Sequence, residues 1–163
     1  MKTANKIVAL EALAARLEKV RAAGKKIVFT NGCFDILHVG HVRYLADARS
    51  RGAVLIVGMN SDASVRLIKG DKRPIVRQEH RAEVLASLAS VDHIVIFEEP
   101  DPLRLIKALK PDVLVKGEDW EEDAIIGAED VRARGGEVFR ISFVEETSTS
   151  GIIQTIVERY RGD

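Results

Sequence analysis

The chain has 163 residues but only one cysteine, Cys33. That excludes an intrachain disulfide and a metal cage built of thiolates, and it fits a reducing compartment. Net charge is missing too, since 25 Lys and Arg balance 25 Asp and Glu. General nucleic-acid binders are usually strongly basic, so that class is set aside. No apolar run approaches the length of a membrane span. Near the start, Glu11, Arg16, Glu18 and Lys19 break up the only stretch that could have served as a signal peptide. A cytoplasmic protein is therefore expected. Two phosphate-binding signatures are also absent. No Gly-x-x-x-x-Gly-Lys-Ser/Thr run occurs, and no Gly-x-Gly-x-x-Gly follows a strand pattern. These gaps disfavour a Walker-type kinase and an ordinary dinucleotide dehydrogenase.

The rest of the composition is ordinary for a globular protein: 46% of residues are hydrophobic and 31% charged. Five short runs, Lys26–Thr30, Val54–Gly58, His93–Phe97, Val113–Lys116 and Glu137–Ile141, are rich in Val and Ile on consecutive positions. Strands covered on both faces look like this. Helical patterns fall at 40–51, 61–67, 78–89, 101–109, 127–135 and 149–160. The alternation predicts right-handed βαβ units, and so an α/β fold with a doubly wound, five-stranded parallel sheet of Rossmann-like type. An extra amphipathic helix is expected over 3–23, where Ile7, Leu10, Leu13, Ala14, Leu17 and Val20 recur at helical spacing before Gly24. The expected division is an N-terminal helix at 1–24 and one domain at 25–163. The apolar stripe of that helix would pack on its own domain or on a second subunit.

The motifs gather at the carboxyl ends of the expected strands, where such sheets bind ligands. After the first strand comes His38-Val39-Gly40-His41, opening a helix. Histidines three apart share a helix face, and a helix start offers free N–H groups and partial positive charge. Gly40 lets a bulky anion approach the main chain. A bland helix start and a metal pair are the alternatives; the latter would need further ligands, of which Asp35 is one candidate, and no protein metal site is expected. Asn31, Gly32 and Asp35 shape the preceding turn, as turn chemistry alone or as ligand contacts. Cys33 reads as a small, partly buried residue.

Lys69, Lys72, Arg73, Arg77 and Arg81 crowd one loop region. Such runs are commonly solvated surface, which is the reading for Arg77. Lys69 and Lys72 flank Gly70-Asp71, a turn able to fold over a polyphosphate, with lysine acting as a mobile point charge. Arg81 would grip the triphosphate or brace the loop. After the fourth strand comes Lys116-Gly117-Glu118-Asp119-Trp120. Gly117 permits close approach, and Glu118 or Asp119 can accept from hydroxyls. Trp120 is either core filler or a plane that stacks on a base or sugar. Finally, Thr147-Ser148-Thr149-Ser150-Gly151 opens the last helix. One hydroxyl there would suffice for an N-cap; the cluster suggests a second phosphate site.

Together these motifs resemble the cytidylyltransferase-like nucleotidyltransferases. The family's His-x-Gly-His signature corresponds to His38-Val39-Gly40-His41, and its late hydroxyl-rich helix start to Ser148-Thr149-Ser150. Within the family the similarity is to the heptose 1-phosphate adenylyltransferases. It runs through Thr30–His41, Asn60–Ser64, Lys69–Pro74 and Gly135–Val138, and covers most of the chain. One departure is Ile153, which stands where an Arg or Lys often closes the late motif; the loop lysines are expected to compensate. The resemblance implies transfer of AMP from ATP to D-glycero-β-D-manno-heptose 1-phosphate, giving ADP-heptose and pyrophosphate for lipopolysaccharide, in a form without a fused kinase. It assigns His38, His41, Lys69 and Lys72 to catalysis. Thr30, Asn31, Gly32, Phe34, Asp35, Gly40, Arg81, Gly117, Asp119, Ser148, Thr149 and Ser150 would bind nucleotide. Asp35, Lys69 and Trp120 would meet the acceptor. Mg²⁺ would be held mainly by the nucleotide phosphates. ATP and a sugar phosphate are the expected partners, with no nucleic acid and no membrane, in a homodimer. Glycerol-phosphate cytidylyltransferase and FMN adenylyltransferase are sibling alternatives, and a nucleotide-sensing module without turnover is an alternative of another class.

Overall fold

The computed structural model describes residues 3–118, 121, 124–142 and 147–161. Five parallel strands are present where the apolar runs predicted them: β1 (Ile27–Gly32), β2 (Val54–Asn60), β3 (His93–Phe97), β4 (Val113–Gly117) and β5 (Glu137–Ile141). Their order in the sheet is β3-β2-β1-β4-β5. The chain thus winds outward in one direction from β1, then returns to β4 on the other side. The crevice where the order reverses lies beyond the carboxyl ends of β1 and β4.

Helices α1 (Leu10–Ala22), α2 (Val39–Ser50), α3 (Asp62–Lys69), α4 (Gln78–Ser87), α5 (Leu103–Leu109), α6 (Ala128–Ala133) and α7 (Thr149–Tyr160) complete the order. Side chains alternate along each strand, so two cores form. On one face Val28, Leu55, Val57, Met59 and Val115 pack with Tyr44 and Leu45 of α2 and Leu85 of α4. On the other, Ile27, Phe29, Ile56 and Leu114 pack with Leu13 and Leu17 of α1, Leu105, Ile106 and Leu109 of α5, and Val131 of α6. Each fully buried Leu, Ile or Phe removes enough apolar surface from water to contribute about 1.5–3 kcal/mol.

The N-terminal segment differs from the expected helix. Thr3–Asn5 forms one 3₁₀ turn, and the chain then runs extended. Ile7 bridges Ile94 in parallel, Val8 N–H donates to Ile94 O at 2.9 Å, and Ile94 N–H donates to Lys6 O at 2.8 Å. The cause is the outer edge of β3, whose unpaired backbone groups this segment satisfies. Helix α1 begins only at Leu10, and Leu10, Leu13 and Leu17 bury against the chain's own sheet rather than a second subunit.

Candidate active site

Helix α2 sets the first wall of the site. Thr30 and the Tyr44 hydroxyl share a buried hydrogen bond of 2.7 Å, which docks α2 against β1. His38 is the N-cap position, with extended backbone, and His41 lies in the first turn. Their rings are 3.9 Å apart at 32°, and the Phe34 ring sits 5.3 Å from His41. Burial first, and then the neighbouring His38, holds His41 down at about 4. Burial likewise lowers His38. At neutral pH the pair is therefore uncharged. Each Nδ1 is covered and has no partner among the described residues. Each ring accordingly brings hydrogen-bonding capacity that no described protein group uses.

The hydroxyl segment forms the opposing wall. Thr149 Oγ1 donates to Ile36 O at 3.4 Å, tying the start of α7 to the turn before α2. A Cβ built on Gly40 would lie 3.0 Å from the His38 ring and 3.4 Å from Thr147 Oγ1. Glycine is what lets these two segments meet. Ser148 caps α7 by accepting from Gly151 N–H at 3.0 Å.

The basic loop is anchored from below at Arg73, Ile75 and Val76. Asp35 is buried and accepts from Arg73 Nε at 2.5 Å, Ile75 N–H at 2.9 Å and Val76 N–H at 2.8 Å. Burial alone would raise the Asp35 carboxyl, but the two backbone donors and Arg73 outweigh it and hold it below the usual carboxylate range. Beneath this loop Arg81, 2% exposed, donates to Val76 O at 2.9 Å, to Cys33 O, and to Asp62 at 2.7 Å. Of the two roles weighed for Arg81, bracing the loop is the one these contacts fit.

All these parts border one cavity of about 830 Å³ at the crevice between β1 and β4. Of the residues singled out in the sequence, Asn31, Gly32, Phe34, Asp35, His38, His41, Lys69, Ser148, Thr149 and Ser150 line it. Gly40 packs just behind the imidazoles. Thr30 and Arg81 are buried in the framework, Gly117 is buried at the end of β4, and Lys72 is exposed on the loop outside the lining. Asp119 and Trp120 lie outside the described residues. Further lining residues had no role assigned from sequence: Asn60, Lys116, Ile68, Ile126 and the Pro100–Asp101–Pro102 turn. Asn60 and Lys116 are polar residues at the carboxyl ends of otherwise apolar strands, which is the signal that could have found them.

The cavity offers imidazole, amide, hydroxyl and amine groups; its carboxylates are already engaged, Asp35 by the loop and Asp101 by Leu103 N–H. Among the described residues no group of three or more His, Cys, Asp or Glu could hold a metal ion. No helix among them is long and apolar enough to cross a membrane.

Comparison with known proteins agrees with this geometry. The chain is 51% identical over 156 residues to the bifunctional protein HldE of Pelobacter propionicus, covering 96% of the chain and 32% of that protein. It is 53% identical over 155 residues to the HldE of Geobacter metallireducens, covering 95% and 32%. The chain thus spans about a third of the length of these curated relatives. A solved structure described as a lipopolysaccharide core biosynthesis protein from Thermoplasma volcanium shares 26% identity with a TM-score of 0.61, covering 76% of this chain and all of that one. A pantoate-beta-alanine ligase from Francisella tularensis, 17% identical with a TM-score of 0.66, covers 96% of this chain and 79% of its own, and shares the fold. The family model described as cytidylyltransferase-like matches residues 29–156, from β1 into α7. With that match spanning most of its length, the chain belongs to the cytidylyltransferase-like family of nucleotidyltransferases.

Proposed function

We propose that this protein transfers AMP from ATP to D-glycero-β-D-manno-heptose 1-phosphate, releasing pyrophosphate and ADP-heptose. One observation carries the reading. Two uncharged imidazoles and the hydroxyl segment 147–150, far apart in sequence, border the same cavity at the sheet's switch point. The high identity to the HldE proteins supports heptose as the sugar, and the solved lipopolysaccharide core protein supports the pathway.

An oxygen of the sugar phosphate attacks the α-phosphorus in line, and the bond from that phosphorus to the bridging oxygen of pyrophosphate breaks. The nucleophile is already anionic, so no strong general base is required. Catalysis is positioning plus stabilisation of developing charge. With Nδ1 covered on both rings, Nε2 of His38 and His41 is the atom left to donate to phosphate oxygens. Ser148, Thr149 and Ser150, at the positive end of α7, hold outer phosphate oxygens. Lys69, and Lys72 on closure of the loop, neutralise the leaving pyrophosphate. Asn31, Gly32, Phe34, Gly40 and Gly117 shape the nucleotide's seat, and Asp119 is assigned to the nucleotide by its place in the motif after β4. Asp35 holds the loop that meets the acceptor, and Trp120 walls the sugar. Thr30 and Arg81 serve the nucleotide through the elements they fix.

A divalent ion, Mg²⁺ by preference, would neutralise phosphate charge. The donor set suits phosphate oxygens better than a bare cation, so the ion would ride on the triphosphate. A cytoplasmic homodimer is the expected setting, with 25–163 as the catalytic unit. The test is a panel of nucleoside triphosphates and phosphorylated acceptors, read by pyrophosphate release. ATP with heptose 1-phosphate should be the best pair. A preference for CTP with glycerol phosphate, or for FMN as acceptor, would replace the proposed substrate. Tight ATP binding with no turnover of any acceptor would replace catalysis with sensing.

A further inference from the structure

Asn60 closes β2 at its carboxyl end, is only 3% exposed, and still lines the cavity. Ile56 packs in the core beneath α5, and a Cβ on Gly58 would meet Leu105 of α5. Alternation along the strand puts Asn60 on that same side of the sheet. The turn Pro100–Asp101–Pro102 leads into α5 and lines the cavity beside it.

A short relay fixes how the Asn60 amide points. Ser64 Oγ donates its one proton to Glu99 O at 2.8 Å, so toward Asn60 it can only accept. The Asn60 atom 2.9 Å from it is therefore Nδ2, the donor. Ser64 is wholly buried, which shields both bonds from water. Oδ1 is left without a partner among the described residues. The side-chain atoms there that are both covered and unpartnered are imidazole nitrogens, so Oδ1 is not sealed in but opens on the cavity.

The turn offers the same chemistry. Pro100 and Pro102 have no N–H to donate. Asp101 caps Leu103 N–H with Oδ1 at 2.9 Å, which leaves its second oxygen to accept. Amide oxygen, carboxylate and proline rings together suit a neutral polyhydroxylated body. Its hydroxyls donate to Asn60 and Asp101, and its C–H edges rest on the prolines. A phosphate is turned away by the carboxylate's charge. The wall thus sorts the two ends of a sugar phosphate.

Both substrates carry hydroxyls, the acceptor on its sugar and the nucleotide on its ribose. The groups assigned to the nucleotide lie at the ends of β1 and β4 and at the starts of α2 and α7, whereas Asn60 and the turn follow β2 and β3. In the order β3-β2-β1-β4-β5 these sit across β1 from β4. The loop proposed to meet the acceptor also follows β2, by way of α3.

We infer that Asn60 and Asp101 form the hydroxyl-reading wall of the acceptor site: they bind the sugar body of a phosphorylated polyol and select it over a phosphate ester that lacks those hydroxyls. This rests on the proposed nucleotidyl transfer and adds the residues that set its acceptor specificity.

The test is steady-state pyrophosphate release by wild type, Asn60→Leu and Asp101→Asn, with ATP and heptose 1-phosphate varied separately. Asn60→Leu keeps the bulk and removes Oδ1. Asp101→Asn keeps an oxygen for the Leu103 cap and turns the other acceptor into a donor. The acceptor KM should rise roughly three- to tenfold in Asn60→Leu and roughly ten- to hundredfold in Asp101→Asn, where an ionised partner is lost. The ATP KM and kcat should stay within about twofold, because these hydroxyls are held alike before and during transfer. Asp101 stands on a turn outside the core, so its variant reads the wall even if Asn60→Leu fails to fold. An unchanged acceptor KM in Asp101→Asn overturns the assignment, as does a parallel rise in both KM values, the mark of a merely structural role. A rise confined to the ATP KM that disappears with 2′-deoxy-ATP or 3′-deoxy-ATP overturns it too, by giving the wall to the ribose. Turnover of heptose 1-phosphate by the wild type tests the proposed reaction itself. If another phosphorylated acceptor proves to be the substrate, that reading falls, and the same comparison made with that acceptor decides the wall. Should no acceptor turn over, calorimetric titration with heptose 1-phosphate in the presence of ATP and Mg²⁺ decides. Binding weakened in Asp101→Asn supports the wall; equal or absent binding in both proteins overturns it.

Discussion

Replacing Asp35 tests whether the basic loop is held from below. Its side chain is wholly buried, its Arg73 partner 16% exposed, and two backbone N–H groups of the loop point at the same carboxylate. Asp35→Ala leaves one guanidinium and two amides without their acceptor. Breaking a buried ion pair costs about 3–5 kcal/mol, and the partial exposure of Arg73 places this case near the lower figure. For a domain of this size about 3 kcal/mol corresponds to a fall of about 6–12 °C in Tm. Thermal unfolding at pH 7 measures it, with Arg73→Ala and the double variant completing a cycle. The sign with pH follows from the carboxyl being held below its ordinary value. Its contribution is complete above the unfolded-state value and disappears as pH falls through the folded-state value. The gap between wild type and Asp35→Ala should therefore close in strong acid. A Tm within about 1 °C of wild type at pH 7, or a gap that persists in acid, refutes the latch.

Other perturbations separate function from framework. His41→Ala should lower turnover by roughly two to three powers of ten while leaving the urea midpoint nearly unchanged, if the ring acts on the transition state. Gly40→Ala should cut turnover with little loss of stability, because the new methyl meets the His38 ring and Thr147 Oγ1 before any core atom. Acid should destabilise the fold through His41. The unfolded chain binds a proton near 6.5 and the folded chain only at about 4, so stability falls as pH drops through that window. Part of that slope should vanish in His41→Gln, measured by denaturant midpoints across pH. Ser148→Ala removes the α7 cap and should cost about 1 kcal/mol in a calorimetric melt.

The parallel sheet was legible because its strands are consecutive apolar runs, a pattern that only two covered faces require. The imidazole pair and the hydroxyl cluster were legible because each sits on a helix start. What escaped the sequence depended on distant partners. Ile7 lies in helical phase with Leu10 and Leu17, yet the open edge of β3 draws it into an extended bridge. Arg81 was one cation among five in a charged stretch, and only its contacts with Cys33 and Asp62 show that it is buried. Asp35 read as a turn residue because the groups it binds follow 38 to 41 positions later. Lys116 stood inside a quoted motif without a role, since nothing local reveals that Asn31 faces it across the sheet.

The central claim is that both imidazoles meet the phosphates of a nucleotide. Nitrogen-15 NMR of the ring nitrogens, recorded while ATP and Mg²⁺ are added, tests it most directly. The chain carries four histidines, so exposed His80 and distant His93 serve as internal references. Saturable shifts at His38 and His41 together, with His80 and His93 unmoved, are the predicted result. Shifts at neither imidazole of the pair, or at all four equally, would contradict the account.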